Sequence, residues 1–387
     1  MLVMFTRRYE LPDRSFFLFG PRATGKTTWL RSVLPDALWF DLLRMNLVLE
    51  LTRQPDTFRQ QIESQPRGSW VVLDEVQRLP ALLNEVQAIM TERHRTYRFA
   101  LSGSSARKLK GGDANLLAGR AINRQFFPLT AAELGGDVNR DRILRYGLLP
   151  QIHAEPDAAV DILDAYVSNY VREEIQQEGL VRRLDSFARF LGVAASMNGQ
   201  VVNVAGIARD AGVARPTVQG FFEVLVDTLL GFWLPAWRPR AKVKESASPK
   251  FYFFDSGVAR ALAGRLREPL ERDERGFLIE TWVLHELRSA MAYHNAGGQL
   301  HYWRTPNGTE VDFIWTRGRR AVGIEVKAAE AWRRGFGRPL QYLLESGVIQ
   351  TGIGVYTGRR TLKDGPLQVL PLERFLDQLG SGEVFSE

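Results

Sequence analysis

Three short apolar runs punctuate the first third of the chain: Phe16-Phe17-Leu18-Phe19, Trp70-Val71-Val72-Leu73, and Phe99-Ala100-Leu101 after Arg98. Each is unbroken and followed by a polar turn, the pattern of strands buried on both faces of a parallel sheet. The period then changes. Leu163, Tyr166, Val167, Tyr170 and Val171 fall at i, i+3, i+4, i+7 and i+8 and predict a helix from Asp161. Residues 201–233 predict a helix–turn–helix, with Gly212 at the turn. A hairpin is expected from Trp237–Lys244 and Pro249–Asp255. Ile279, Val283, Leu284 and Leu287 mark another helix, followed by strands at His301–Arg304, Glu310–Trp315 and Ala321–Lys327. The pattern is α/β. Its seams fall near Pro128 and in the charged stretch Arg265–Arg275, which predicts domains at 1–130, 131–268 and 269–387.

The turn after the first run reads Gly20-Pro21-Arg22-Ala23-Thr24-Gly25-Lys26-Thr27, followed by Thr28. This fits the phosphate-binding pattern G-x-x-x-x-G-K-[ST] between a strand and a helix, the context it needs. Gly20 and Gly25 let the backbone curl its N–H groups inward, and the helix start adds a positive dipole end. Lys26 would reach the β- and γ-phosphates of ATP, and the Thr27 hydroxyl would ligate Mg²⁺.

The second run ends in Asp74-Glu75. Asp74 is placed to hold Mg²⁺, and Glu75 to orient and polarise an attacking water. The third run ends in Ser102-Gly103-Ser104-Ser105. A polar group there would sense the γ-phosphate, Ser102 being the first choice and Ser104 the second. In Leu117-Ala118-Gly119-Arg120, Arg120 would serve as an arginine finger, in its own subunit or a neighbour's. A surface arginine fits that position equally.

In the helix–turn–helix, Arg215, Thr217 and Gln219 would lie at the exposed start of the second helix, where DNA contacts are made. Arg240, Lys242 and Lys244 would form the basic tip of the hairpin, as in the wing of a winged helix. A lid or protein-contact module explains the same pattern. So does a regulator reading one operator through Arg215 and Gln219.

In the last third, a hairpin would bring Asp312 on one strand beside Glu325-x-Lys327 on the next, with Glu280 on the preceding helix. E-x-K alone recurs by chance about once in a chain of this length, so the weight lies in the order of elements. Residues i and i+2 of a strand share a face. Asp312 and Glu325, with Glu280 completing the shell, would bind Mg²⁺, and Lys327 would stabilise developing charge in phosphodiester hydrolysis. Salt-bridged charges on an outer face are the competing explanation. Gln341-Tyr342, on the next helix, would help hold the site.

Composition narrows the classes. The 387 residues exceed one ordinary core, and 45% apolar with 25% charged residues is the balance of a soluble globular protein. No apolar run approaches the ~20 residues a membrane span needs, and no membrane partner is expected. The first residues are too short for a secretory signal, so the expected location is cytoplasmic. With no cysteine, disulfides, zinc thiolates and thiol nucleophiles are excluded. A net charge of +7 is compatible with a polyanionic partner such as DNA.

These motifs, with Gly147-Leu148-Leu149-Pro150 and Tyr252-Phe253-Phe254-Asp255-Ser256-Gly257, resemble a prokaryotic family of AAA+-type P-loop ATPases with a C-terminal domain of unknown function. The resemblance covers nearly the whole chain. It implies a AAA+ ATPase domain, a helical and winged-helix middle domain, and a C-terminal fold similar to PD-(D/E)xK nucleases. Glu280, Asp312, Glu325 and Lys327 match that nuclease pattern, although Val311 stands where proline is usual. The arrangement resembles archaeal-type Holliday junction resolvases. The resulting expectation is an ATP-hydrolysing, Mg²⁺-dependent DNA-processing enzyme. It would work as a homo-oligomer, a hexameric ring being one form, on DNA that includes branched junctions. A nucleotide-switched interaction protein, with the C-terminal fold only docking, is the alternative.

Overall fold

The computed structural model describes residues 5–92, 96–105, 117, 119–136, 138–171, 184–239 and 248–385, with backbone alone at Tyr170 and Val171. They belong to two compact units.

The first unit comprises residues 6–129 with Asp227–Leu230. Its strands are β1 (Phe16–Phe19), β2 (Leu38–Asp41), β3 (Trp70–Asp74), β4 (Arg98–Gly103) and β5 (Ile122–Gln125). They form one sheet in the order β2-β3-β4-β1-β5, and every pairing is parallel. Helices α1 (Lys26–Val33), α2 (Met45–Arg53), α3 (Pro55–Glu63) and α4 (Leu82–Glu92) connect them. Phe17, Phe40, Leu73, Val86, Phe99 and Leu101 share the core between sheet and helices. Because β4 lies between β1 and β3, the carboxyl ends of all three strands meet at one edge. In open parallel sheets, ligands bind at such an edge.

The second unit comprises Thr130–Val226 and the chain from Gly231 onward. It opens with α5 (Ala131–Leu134), whose start is closed by a reciprocal Thr130–Glu133 capping box. Helices α6 (Arg140–Tyr146), α7 (Pro150–Ala154) and α8 (Ala159–Ala165) follow, and α8 widens into a π-helical turn at Tyr166–Val171. Next come α9 (Leu184–Ser196), α10 (Val204–Ala211) and α11 (Arg215–Asp227). Gly212 takes φ 66° at the C-cap of α10, the left-handed conformation a glycine turn supplies.

The hairpin differs from its expected position. Its strands are β6 (Gly231–Leu234) and β7 (Lys250–Phe253), so the first strand begins six residues before Trp237. The run Gly231-Phe232-Trp233-Leu234 pairs directly with Lys250-Phe251-Tyr252-Phe253, and its aromatic side chains pack with Phe222 of α11.

After α12 (Ser256–Leu262) and the long α13 (Arg272–Tyr293) comes a six-stranded sheet. Its strands are β8 (Gln299–Arg304), β9 (Glu310–Arg317), β10 (Arg320–Lys327), β11 (Thr351–Tyr356), β12 (Leu362–Asp364) and β13 (Leu367–Pro371), in the order β12-β13-β11-β10-β9-β8. Helix α14 (Arg338–Glu345) buries Leu340 and Leu343 with Trp303 and Ile314, and α15 (Leu372–Ser381) packs Phe375 and Leu376 into the larger cluster.

That larger cluster joins Ile143, Leu148, Leu234 and Tyr252 to Trp282, Leu284, Phe313 and Ile324. Residues on either side of 268 thus share one core within this compact unit. Ion pairs cross the expected seam too: Arg275 reaches Asp141 at 2.7 Å and Arg260 reaches Glu274 at 2.8 Å. The charged stretch Arg265–Arg275 therefore ends in the first turn of a core helix.

Glu286 of α13 is buried and accepts bonds from the N–H of Ala131 at 2.7 Å and Trp282 Nε1 at 2.9 Å. Burial pushes its carboxyl up to about 7. The folded chain therefore keeps this proton at pH values where the unfolded chain has released it. The resulting stabilisation is full below about pH 4.5 and is lost as pH rises through 7. Glu286→Gln, which cannot ionise, should gain roughly 3 kcal/mol relative to wild type between pH 4.5 and pH 8. Denaturant unfolding at the two pH values checks this; a pH-independent difference contradicts it.

Candidate functional site

The P-loop follows β1. Gly20 must be glycine for a packing reason: a Cβ there would lie 2.3 Å from the Phe126 carbonyl oxygen. Gly25 takes φ 89° and caps α1 with no side-chain bond, so the first N–H groups of the helix are available to an anion. The buried Lys26 ammonium donates to the carbonyls of Gly20 at 2.7 Å and Pro21 at 2.9 Å. Thr24 closes the turn by donating to the Pro21 carbonyl at 2.8 Å. Arg22 and Thr27 are half-buried and Thr28 is exposed on α1.

Three strand ends are wired together beside this loop. The Thr27 hydroxyl donates to Asp74 Oδ2 at 2.8 Å, and the Ser102 hydroxyl donates to Asp74 Oδ1. The same Ser102 oxygen accepts from the Glu75 N–H at 3.2 Å. Burial pushes the Asp74 carboxyl up, while bonds from Ser102 and Thr27 pull it back.

Glu75 takes φ 59° and ψ 50°. That left-handed turn costs a non-glycine residue about 1–2 kcal/mol. Its side chain is held by Ser104, which donates to Oε2 at 2.9 Å, and by Gln77, whose Nε2 reaches the same oxygen at 2.5 Å. Gln77 also donates to Ser104 at 3.0 Å, and Arg22 Nε approaches that hydroxyl at 3.4 Å. Burial works against the Glu75 charge, but Lys26, Gln77, Arg22 and Ser104 outweigh it and hold the carboxyl below its ordinary range. A buried glutamate kept ionised beside a phosphate-binding loop is equipped to polarise water.

Gln77 is the residue that sequence reasoning missed. Only the turn at Glu75 brings it back onto the carboxylate, two residues away. Gln77→Ala should cut the ATP hydrolysis rate about tenfold with nucleotide affinity unchanged, since it touches Glu75 and not the loop. Steady-state kinetics beside nucleotide binding checks this; an equal loss in both contradicts it. Arg120 follows the turn at Leu117 and is half-buried.

The acidic set of the second unit is brought together. β9 and β10 are antiparallel with Phe313 opposite Ile324, which carries Asp312 to the position beside Glu325. Lys327 Nζ lies 2.5 Å from Glu325 Oε1 and 3.8 Å from Asp312 Oδ2. The Val326 N–H donates to Asp312 Oδ2 at 2.7 Å, while Glu325 Oε2 is buried with no hydrogen-bond partner. Glu280 on α13 accepts from the Tyr252 hydroxyl at 3.3 Å, with Lys250 Nζ at 3.7 Å.

Burial and the neighbouring Asp312 push both Glu280 and Glu325 up. Lys327 is raised in turn, its carboxylate neighbours overcoming burial, so it stays charged. Among the described residues, no three carboxylate or imidazole groups converge to enclose a metal ion. Gln341 donates to the Asp364 carbonyl at 3.2 Å, and the exposed Tyr342 stacks on Trp303; neither bonds to the acidic set. Lys250 and Glu310 also escaped sequence reasoning, although a lysine opening the aromatic run Phe251-Tyr252-Phe253-Phe254 implies a buried partner.

Arg215, Thr217 and Gln219 are exposed at the start of α11, while Val218 between them is buried. Arg240, Lys242 and Lys244 lie outside the described residues. No helix among the described residues is long and apolar enough to cross a membrane.

Residues 12–135 match the family described as an AAA domain. Residues 138–268 and 275–375 match two families described as domains of unknown function, DUF8612 and DUF4143. An uncharacterized protein of Mycobacterium bovis is 28% identical over 313 residues, 80% of this chain and 69% of its own length, and one of Mycobacterium tuberculosis matches to the same extent. The Aeropyrum pernix ORC2 protein, solved as ADPNP and ADP complexes, shares 13% identity over 67% of this chain and 89% of its own, with a TM-score of 0.25. The Bacillus subtilis DNA clamp loader delta protein shares 11% over 70% and 95%, with the same score. The chain thus matches an AAA domain over the residues that form its parallel sheet and a DUF4143 domain over its C-terminal part.

Proposed function

We propose that this chain hydrolyses ATP at the P-loop and cuts DNA, branched junctions included, at the Asp312–Glu325–Lys327 site. One observation supports the first half above the rest: Thr27, Asp74, Ser102 and Glu75 form one hydrogen-bonded array beside the Lys26 ammonium. Lys26 would exchange its loop carbonyls for phosphate oxygens. Thr27 and Asp74 offer Mg²⁺ the oxygen ligands it takes. Glu75 would orient the attacking water, Ser102 would sense the γ-phosphate, and Arg120 would reach a neighbour in a homo-oligomer, a hexameric ring being one form.

The second half is supported by Glu325, whose Oε2 is buried without a partner beside Asp312. An unsatisfied carboxylate oxygen is costly unless something pairs with it. Mg²⁺ takes one or two carboxylates and completes its shell with water and phosphate oxygens, so a two-carboxylate site suits it better than an enclosing cage. Bound there, it would lower the pKa of a water and clamp the scissile phosphate. Glu280 would complete the set, and Lys327 would stabilise charge on the phosphate. Arg215, Thr217 and Gln219, with Arg240, Lys242 and Lys244, would contact DNA as a winged helix does.

One observation favours the alternative, a nucleotide-switched protein whose C-terminal domain only docks. The Lys327 ammonium already pairs with both carboxylates. Incubation of four-way, linear and single-stranded DNA with Mg²⁺ or Mn²⁺ separates the readings: cleavage lost in Lys327→Ala supports the nuclease, and no cleavage of any substrate supports the alternative.

A further inference from the structure

Lys250, first residue of β7, is buried, yet its ammonium reaches two glutamates. It pairs with Glu310 Oε1 and lies 3.7 Å from Glu280 Oε2, with the Tyr302 ring beneath it at 5.3 Å. Two residues on, the Tyr252 hydroxyl donates to the same Glu280 oxygen at 3.3 Å. Both groups thus hold Oε2, and among the described residues nothing bonds to Glu280 Oε1.

The acidic site repeats this division. Asp312 has Oδ2 engaged by Val326 and Lys327, with Oδ1 unbonded among the described residues. Glu325 has Oε1 engaged by Lys327 and Oε2 without a partner. Glu310 is different. It shares a strand face with Asp312, but Lys250 takes one of its oxygens and Arg304, at 3.4 Å, the other. Glu310 is therefore a counter-ion for Lys250, while Glu280, Asp312 and Glu325 each keep one oxygen free for a ligand.

We propose that Lys250 and Tyr252 are positioning residues that pin Oε2 of Glu280, so that its Oε1 is left to hold a water of the metal bound by Asp312 and Glu325. This rests on the metal-dependent reading of that site. Strand β7, nearly sixty residues before Asp312, then belongs to the nuclease-like centre, and residues 269–387 alone lack part of it.

Partners that orient metal ligands typically account for 10- to 100-fold in metal affinity. Mn²⁺ binding to the full chain, measured by calorimetry, should weaken about tenfold in Tyr252→Phe and more in Lys250→Met. Cleavage by Tyr252→Phe should recover at high Mn²⁺, with KM for DNA unchanged. Tyr252→Phe removes only a hydroxyl and decides the matter if Lys250→Met does not fold. Mn²⁺ affinity lowered by Asp312→Asn but unchanged in Tyr252→Phe and in any folded Lys250→Met would overturn this inference alone. A wild-type chain that binds no Mn²⁺ overturns it together with the reading beneath it.

Discussion

Lys26→Ala should lower ATP hydrolysis about a thousandfold and weaken nucleotide binding as well. Two effects combine. The variant loses the one ammonium bonded inside the loop, and preorganised cations at developing charge are typically worth 10²–10³ in rate. It also leaves Asp74 and Glu75 adjacent and buried without their cation. Glu75 then rises toward its neutral form, which cannot accept a proton. Glu75→Gln isolates the second effect, since it should abolish hydrolysis while ATP remains bound. Phosphate release and fluorescent-nucleotide titration on the same preparations measure both. Hydrolysis by Lys26→Ala at more than a tenth of the wild-type rate would contradict the assignment.

Lys327→Ala should abolish DNA cleavage and leave ATP hydrolysis unchanged. The side chain is 29% exposed, while Asp312 and Glu325 beside it are 7% and 4% exposed. It stays charged beside two buried carboxylates, and in the proposed reaction it would meet negative charge developing on a phosphate. A loss of at least a hundredfold in cleavage is expected. Because the change leaves a buried acidic pair uncompensated, some stability should go too, by up to about 3–5 kcal/mol. ATP hydrolysis and a cooperative melt on the same sample distinguish lost chemistry from lost fold. Cleavage that survives while both controls hold would remove Lys327 from the site.

The first unit was largely legible in the sequence, and the second only in pieces. Gly20–Thr27, Asp74 and Ser102 could be read because each lies at the end of a continuous apolar run, and strand ends in a parallel sheet share an edge. Glu325-x-Lys327 opposite Asp312 followed from strand period. Gln77 did not, because its contact depends on a left-handed turn at Glu75 that no propensity signals. Lys250 and Glu310 did not, because their pairing depends on how β7 packs near β9 across sixty residues. The hairpin strand was misplaced because Gly231-Phe232-Trp233-Leu234 continues the apolar character of α11 and carries no alternation. The core shared across 265–275 was not legible, because it is built from apolar residues far apart in the chain, Ile143 and Leu148 with Trp282 and Phe313.

The most direct test of the account is a cleavage panel on four-way, linear and single-stranded DNA with Mg²⁺, with and without ATP. Wild type, Lys26→Ala and Lys327→Ala run side by side, with phosphate release recorded for each. The account predicts that wild type both cuts and hydrolyses, that Lys327→Ala hydrolyses without cutting, and that Lys26→Ala has lost hydrolysis. Intact DNA in every wild-type lane, or equal cutting by Lys327→Ala, would contradict it.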